Sequence, residues 1–162
     1  MADIASHHLI YGICTDYLTG ESIVDTDDER CRQKLARLLV EEKGYSKNEI
    51  EPRLKIETLF AGNFVVSTID MVVNIDQKRM FVLRFGPGSL VTRERPAIAA
   101  ARVLGPVDQI PYAVVTNGID AELLDTVTGD VLDRGLGAIW TREQCFGHLQ
   151  ETVFTPMLEG IK

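Results

Sequence analysis

A chain of 162 residues, 45% hydrophobic and 25% charged, carries enough apolar material for one core and excludes extended disorder, collagen-like sequence or a pair of full domains. With Lys+Arg 17 against Asp+Glu 24 the formal charge is -7, so no global cationic field draws the chain to nucleic acid, and any such role needs a local basic patch. Cys14, Cys31 and Cys145 form no CxxC pair and no metal-spaced set with a histidine, which argues against a zinc site or disulfide framework and suits a reducing cytoplasm. The first residues, Met1 to His8, lack a basic region followed by an apolar run, and no apolar stretch reaches about 18 residues, so neither secretion nor membrane spanning is expected.

A hairpin is the first readable unit. Leu9 to Asp16 and Glu21 to Asp25 flank Tyr17-Leu18-Thr19-Gly20, where Thr-Gly supplies the positive φ of a tight turn. Asp125-Thr126-Val127-Thr128-Gly129-Asp130 nearly repeats Asp16-Tyr17-Leu18-Thr19-Gly20-Glu21, and the two read as turns of one kind with no shared binding role. Next, Thr26-Asp27-Asp28-Glu29 is a capping box opening a helix whose Cys31, Leu35, Leu38 and Leu39 share one face, with Gly44 as its stop. Ser46-Lys47-Asn48-Glu49 repeats the capping pattern for one short helical turn.

Three strands follow, Leu54 to Phe60, Phe64 to Ile75 and Arg79 to Phe85, parted by Gly62-Asn63-type and Asp76-Gln77-Lys78 turns. The third is apolar on both faces, which suits a central strand. Gly86-Pro87-Gly88 stops it. A helix starts near Thr92, tolerates Pro96 in its first turn or so, and has an alanine-rich body to Leu104 before Gly105-Pro106. Strands Tyr112 to Thr116 and Ala121 to Asp125 then flank Asn117-Gly118, and Thr141-Arg142-Glu143-Gln144 caps a last helix toward Phe154. The sum is an α/β fold in a single domain over residues 1–162, with a mixed central sheet flanked by helices and an N-terminal β-hairpin.

This order, carrying the Thr19-Gly20 turn, Glu29 with Arg32-Gln33, Gly44-Tyr45, Ile69-Asp70 and Thr116-Asn117-Gly118, resembles the N-terminal nuclease domain of type I restriction-enzyme R subunits, over about residues 16–125. The resemblance implies a restriction-endonuclease-like fold of the PD-(D/E)xK superfamily and, in its active members, Mg²⁺-dependent DNA cleavage. A hard cation there takes oxygen ligands and lowers the pKa of bound water. Glu29 matches the helix glutamate and Asp70 the first metal carboxylate. The E and K of the motif fall on Arg84 and Gly86, and the glutamine of the following helix on Ile98.

An arginine for a carboxylate reverses the charge beside the expected dication, and a glycine for the lysine removes the group that positions the nucleophile. The site is therefore read as vestigial, with no cofactor or metal expected. Were the chain an active endodeoxyribonuclease, Mg²⁺ would be held by Asp70, Glu29 and a relocated acid such as Glu57 or Asp76. Arg84 and Asp70 lie on neighbouring antiparallel strands, so a pair in which the guanidinium replaces the cation is a coherent expectation.

The candidate binding residues are Gln33, Arg84, Gly86, Arg93, Arg95 and Asn117. Gly86-Pro87-Gly88-Ser89 leaves a strand and precedes a helix, with Arg84, Arg93 and Arg95 close by and Thr92 as a cap, which suits an anion or nucleotide although it matches no full nucleotide motif. Its plainer reading is a strand terminator. Arg30, Arg32, Lys34 and Arg37 either face DNA or pair with acids one turn away. Expected partners are DNA or restriction-modification subunits, with a homo-oligomer also open and no membrane. Nothing in the chain resembles the helicase motor that follows such domains in R subunits, so a role here needs partners in trans. The expected function is a degenerate nucleic-acid-associated or protein-interaction module in the cytoplasm.

Overall fold

Local signals in the chain set most element boundaries. Thr26 caps helix α1 (Asp27–Arg37) by accepting from the Glu29 amide, and three acids occupy its first turn, where they complement the helix dipole. The helix runs on through a π-helical turn, Leu38–Glu42, and Gly44, at φ 87°, lets the chain leave. The Ser46 and Thr141 capping boxes are both formed, the first on a 3-10 turn, Lys47–Glu49, the second on helix α3 (Arg142–Glu151).

The computed structural model describes residues 10–104 and 108–156. The expected starting residues Met1 to Leu9 and the Gly105-Pro106 break lie outside them. Strands β1 (Ile10–Thr15) and β2 (Ser22–Thr26) form the antiparallel hairpin, as a two-stranded sheet of their own. The main sheet holds six strands in chain order: β3 (Ile50–Phe60), β4 (Asn63–Ile75), β5 (Lys78–Phe85), β6 (Tyr112–Thr116), β7 (Ala121–Asp125) and β8 (Val131–Arg134). Only β5 and β6 run parallel, and helix α2 (Val91–Val103) makes the crossover between them. The architecture is thus the expected mixed α/β sheet with three helices and an N-terminal hairpin.

Two elements differ from expectation. Strand β3 begins at Ile50 rather than Leu54 and carries Pro52, which an edge strand tolerates because one side of it needs no partner. Strand β8 is new: the Asp125 to Asp130 turn closes a hairpin onto it, and its four residues are too few for alternation to show. Helix α2 starts at Val91, so Thr92 lies within it and donates to the Ser89 carbonyl instead of capping.

The sheet has a core on each face. On one, Leu35, Ala36 and Leu39 of α1 and Cys145 of α3 pack with Met71, Val73, Phe81 and Leu83. Tyr45 packs beneath the helix end there, donating from its hydroxyl to the Trp140 carbonyl at 2.8 Å. On the other face, Ala97, Ile98, Ala100 and Ala101 of α2 lie against Val72, Val82, Ala113 and Val115. The small side chains of α2 allow this close approach. β5 is buried on both faces, as a central strand should be.

Candidate functional site

The two turns with matching sequence have matching structure. In each, the aspartate amide donates to the carbonyl of the fifth residue on, and the glycine amide donates back to the aspartate carbonyl at 2.8 Å. In each, the aspartate side chain also accepts amides within the turn. They differ in surroundings. Asp125 sits at a solvent-facing corner, whereas Asp16 is 1% exposed and turned toward α1 and β3.

Asp16 is the centre of a charged network that joins four elements. Its Oδ1 accepts from Gln33 Nε2 at 2.7 Å and from Arg53 Nη1 at 3.2 Å, and its Oδ2 from the Thr19 hydroxyl at 2.7 Å. Burial opposes ionisation of Asp16, but the hydrogen bonds from Arg53, Gln33 and Thr19 outweigh it and hold the pKa at about 2. Gln33 also accepts the Tyr17 amide at 2.7 Å, so this side chain is spent on fastening the hairpin.

Arg53 reaches the network through an unusual backbone. Its φ is 54°, and it sits between the Pro52–Met71 and Leu54–Ile69 pairs, where Asp70 would be its cross-strand neighbour. The left-handed conformation swings its guanidinium toward Asp16 and toward Glu29, whose Oε2 it meets at 3.3 Å.

Glu29 and Asp70, the two expected acids, are brought together with an arginine between them. Arg32 donates from Nε to Asp70 Oδ1 at 2.9 Å, and its Nη1 pairs with Glu29 Oε1 one turn back. Asp70 Oδ2 accepts the Phe85 amide at 2.7 Å. All three side chains are largely buried, at 13% exposure or less. The expected Asp70–Arg84 pair is therefore corrected. The partner of Asp70 is Arg32, because α1 packs over the buried half of β4, whereas Arg84 makes no ion pair or donated hydrogen bond among the described residues.

The resemblance implies a dication at these acids. A divalent cation takes six to eight oxygen ligands, or about six for Mg²⁺, in a compact shell. Here the carboxylate oxygens face two guanidiniums and no three acids or histidines converge on a metal-sized gap among the described residues. As placed, the residues do not fit the ion. The relocated acids do not complete a set either. Asp76 lies in the β4–β5 turn, roughly 20 Å of strand from Asp70, and Glu57 pairs with Val66 about four residues up β4.

The remaining candidates divide into two groups. Arg84 follows the alternation of β5 onto the α2 face, with Val82, and is half-buried. Burial pulls its pKa down, Asp70 opposes this, and the like charge of Arg93 adds to it. Arg93 lies over Gly86: a Cβ at Gly86 would fall 1.9 Å from its Cζ. By contrast Arg95, two residues further round α2, turns away into a shallow recess with Glu94, Ile98 and Arg102. Asn117 is structural, tying the loop down by donating to the Gly88 carbonyl at 2.9 Å while accepting the Ile119 and Asp120 amides. Ile98 is core.

The cations of α1 are mostly spent on acids. Arg30 pairs with Asp25 at 2.9 Å and lies over the Tyr11 ring, and Arg37 pairs with Glu41. Asp16 and Arg53 were not legible as site residues. The nearest sequence signal for Asp16 was its turn motif, which described its backbone and not its burial.

A family model for the type I restriction enzyme R protein N terminus matches residues 27–135, which spans α1 to β8 and includes Glu29, Arg32, Arg53, Asp70, Arg84 and Arg93. No curated protein and no solved structure matches the chain. The match covers more than half of the sequence, and with the mixed sheet and the convergence of Glu29 and Asp70 it shows that the chain belongs to the type I restriction enzyme R protein N-terminal family.

Proposed function

We propose that this chain is a catalytically degenerate member of its family, of the PD-(D/E)xK type, and serves as a nucleic-acid-associated module that does not cut. The observation that carries this reading is the Arg32 guanidinium bonded to both Asp70 and Glu29, at the position a metal ion would need. Arg84 and Gly86, on the positions of the missing acid and lysine, point the same way. Breaking the Arg32 bridge to admit a dication would strand a buried cation, a cost of several kcal/mol that a weak hydrated-metal site does not return.

The nucleic-acid half of the reading rests on where unspent positive charge remains. Arg30, Arg32, Arg37 and Arg53 are committed to acids, whereas Arg84 and Arg93 stand close together beside the loop after β5 and pair with no acid among the described residues. A total charge of -7 limits nonspecific attraction, so binding should be weak and salt-sensitive. The test is a plasmid incubation with Mg²⁺ or Mn²⁺, paired with a calorimetric Mn²⁺ titration. No nicking and no saturable heat are expected. Cleavage that disappears in Asp70→Ala overturns the reading.

A further inference from the structure

We propose that Arg84 and Arg93, packed about Gly86, form a metal-independent site for a phosphate group. The inference rests on the reading above, and deepens it by naming the ligand chemistry.

Gly86 directly follows β5 and its amide still donates to the Thr116 carbonyl at 3.1 Å, so it prolongs the ladder and shares a face with Arg84, two residues and roughly 7 Å back. Gly86 has no side chain, and the guanidinium of Arg93 fills the space: its Cζ, Nε and Nη1 lie 1.9, 2.1 and 2.2 Å from where a Cβ would be. A cation from α2 thus stands where the strand would otherwise place its own residue. The glycine is required here by close approach, since its backbone does not adopt a left-handed φ.

The two guanidiniums are poorly satisfied. Of all their N–H donors, only Arg93 Nη2 finds an acceptor among the described residues, the Pro87 carbonyl at 3.1 Å. Arg93 Nε is buried with no partner, and Arg84, half-buried, donates to no protein acceptor among the described residues. A buried donor without an acceptor is destabilising, and two like charges side by side add to this. Nor is the nearest acid available. Asp70 has Oδ1 on Arg32 and Oδ2 on the Phe85 amide. The lowered pKa of Arg84 reports the same imbalance.

What satisfies such a pair is an anion with several acceptor oxygens and a charge of about two, which is the chemistry of a phosphate group. A carboxylate offers fewer oxygens to two forks that lie side by side. The loop geometry supports access, because Pro87, Gly88 and Ser89 are exposed while Asn117 anchors the Gly88 carbonyl.

The experiment is titration of the full chain with inorganic phosphate at constant ionic strength, read by calorimetry and by the shift in Tm. Saturable binding is expected, weakened at least about tenfold in Arg84→Gln and in Arg93→Gln, and in Gly86→Ala, whose new methyl displaces the Arg93 guanidinium. Circular dichroism identifies any variant that fails to fold, and Arg93→Lys, which keeps charge but loses the fork, then replaces it and should bind several-fold more weakly. Absence of saturable binding, or binding indifferent to both arginine variants, overturns the proposal.

Short oligonucleotides with and without a 5′-phosphate, used as competitors, separate the sources. Competition by the phosphorylated strand alone supports a terminal monoester, and competition by both supports a backbone diester. Phosphate binding with no competition by either strand upholds the site and removes the nucleic-acid reading. DNA binding that persists undiminished in the Arg84→Gln, Arg93→Gln double variant keeps that reading and removes the site.

Discussion

Arg32 Nε donates to Asp70 Oδ1 at 2.9 Å, and so joins the middle of α1 to the start of the buried half of β4, residues 38 apart in sequence. The same guanidinium reaches Glu29. Removing one partner from a largely buried pair leaves an uncompensated charge, which costs more than the pair itself contributes. Arg32→Ala should therefore lower the unfolding free energy by about 3 kcal/mol, measured in urea at neutral pH. Arg32→Met together with Asp70→Asn and Glu29→Gln should recover most of the loss, because no charge is then stranded.

Asp16 gives the site an acid dependence with a defined direction. Its pKa of about 2 lies below the ordinary aspartate value of 3.8, so the folded state binds this proton less readily than the unfolded chain. The stability it contributes is complete above about pH 4 and is lost as pH falls toward 2. Asp16→Asn should destabilise the protein at pH 7 and have little effect at pH 2, and the difference in urea midpoint between the two chains should shrink across that window.

Glu94 behaves in the opposite sense. The Glu122 carboxylate beside it pushes its pKa above the ordinary 4.5, burial adds to the effect, and Arg134 opposes it. Glu122 Oε1 is buried with no donor, and a protonated Glu94 beside Glu122 would carry a proton able to supply one. This contribution is present in acid and declines as pH rises through and beyond 4.5. Glu94→Gln carries a permanent donor, and should raise the unfolding free energy at pH 7 by about a fraction of a kcal/mol, given the solvent around Glu94, while leaving it unchanged at pH 4. A gain equal at both pH values would show that charge plays no part.

Most of the fold was written in short-range signals. The N-cap at Thr26, the capping boxes at Ser46 and Thr141, the Gly44 stop and the doubly apolar β5 each depend on a few adjacent residues, and each is formed, although the Glu29 carboxylate is spent on Arg32 and Arg53 and does not close a box at Thr26. Glu29 and Asp70 were legible because a family pattern fixes their places on α1 and β4. What links them was not, since Arg32 at helical spacing from several acids looks the same whether it serves a neighbour one turn away or a strand across the core. Arg53 was hidden more deeply. Its reach depends on a φ of 54° within a strand, and no residue type in the segment signals that. The expected Arg84–Asp70 pair placed the right strands together but allowed for no competing cation from α1.

The β1–β2 hairpin belongs to no larger sheet, and Ile10, Tyr11 and Ile13 on it are exposed. Noncovalent contacts hold it to the body through Asp16 on Arg53 and Gln33, the Tyr17 amide on Gln33, Asp25 on Arg30, Tyr11 on Asp27, and the Tyr17 and Leu18 side chains on the core edge. Such a fastening makes the hairpin a separate cooperative unit, with its own opening free energy beneath that of the six-stranded sheet. Its amides should exchange with solvent by local detachment, whereas those of β5 wait for the whole molecule to unfold. Protonating one aspartate should thus loosen the hairpin ahead of the six-stranded sheet, so that the charged network acts as a latch between two regions of unequal lifetime.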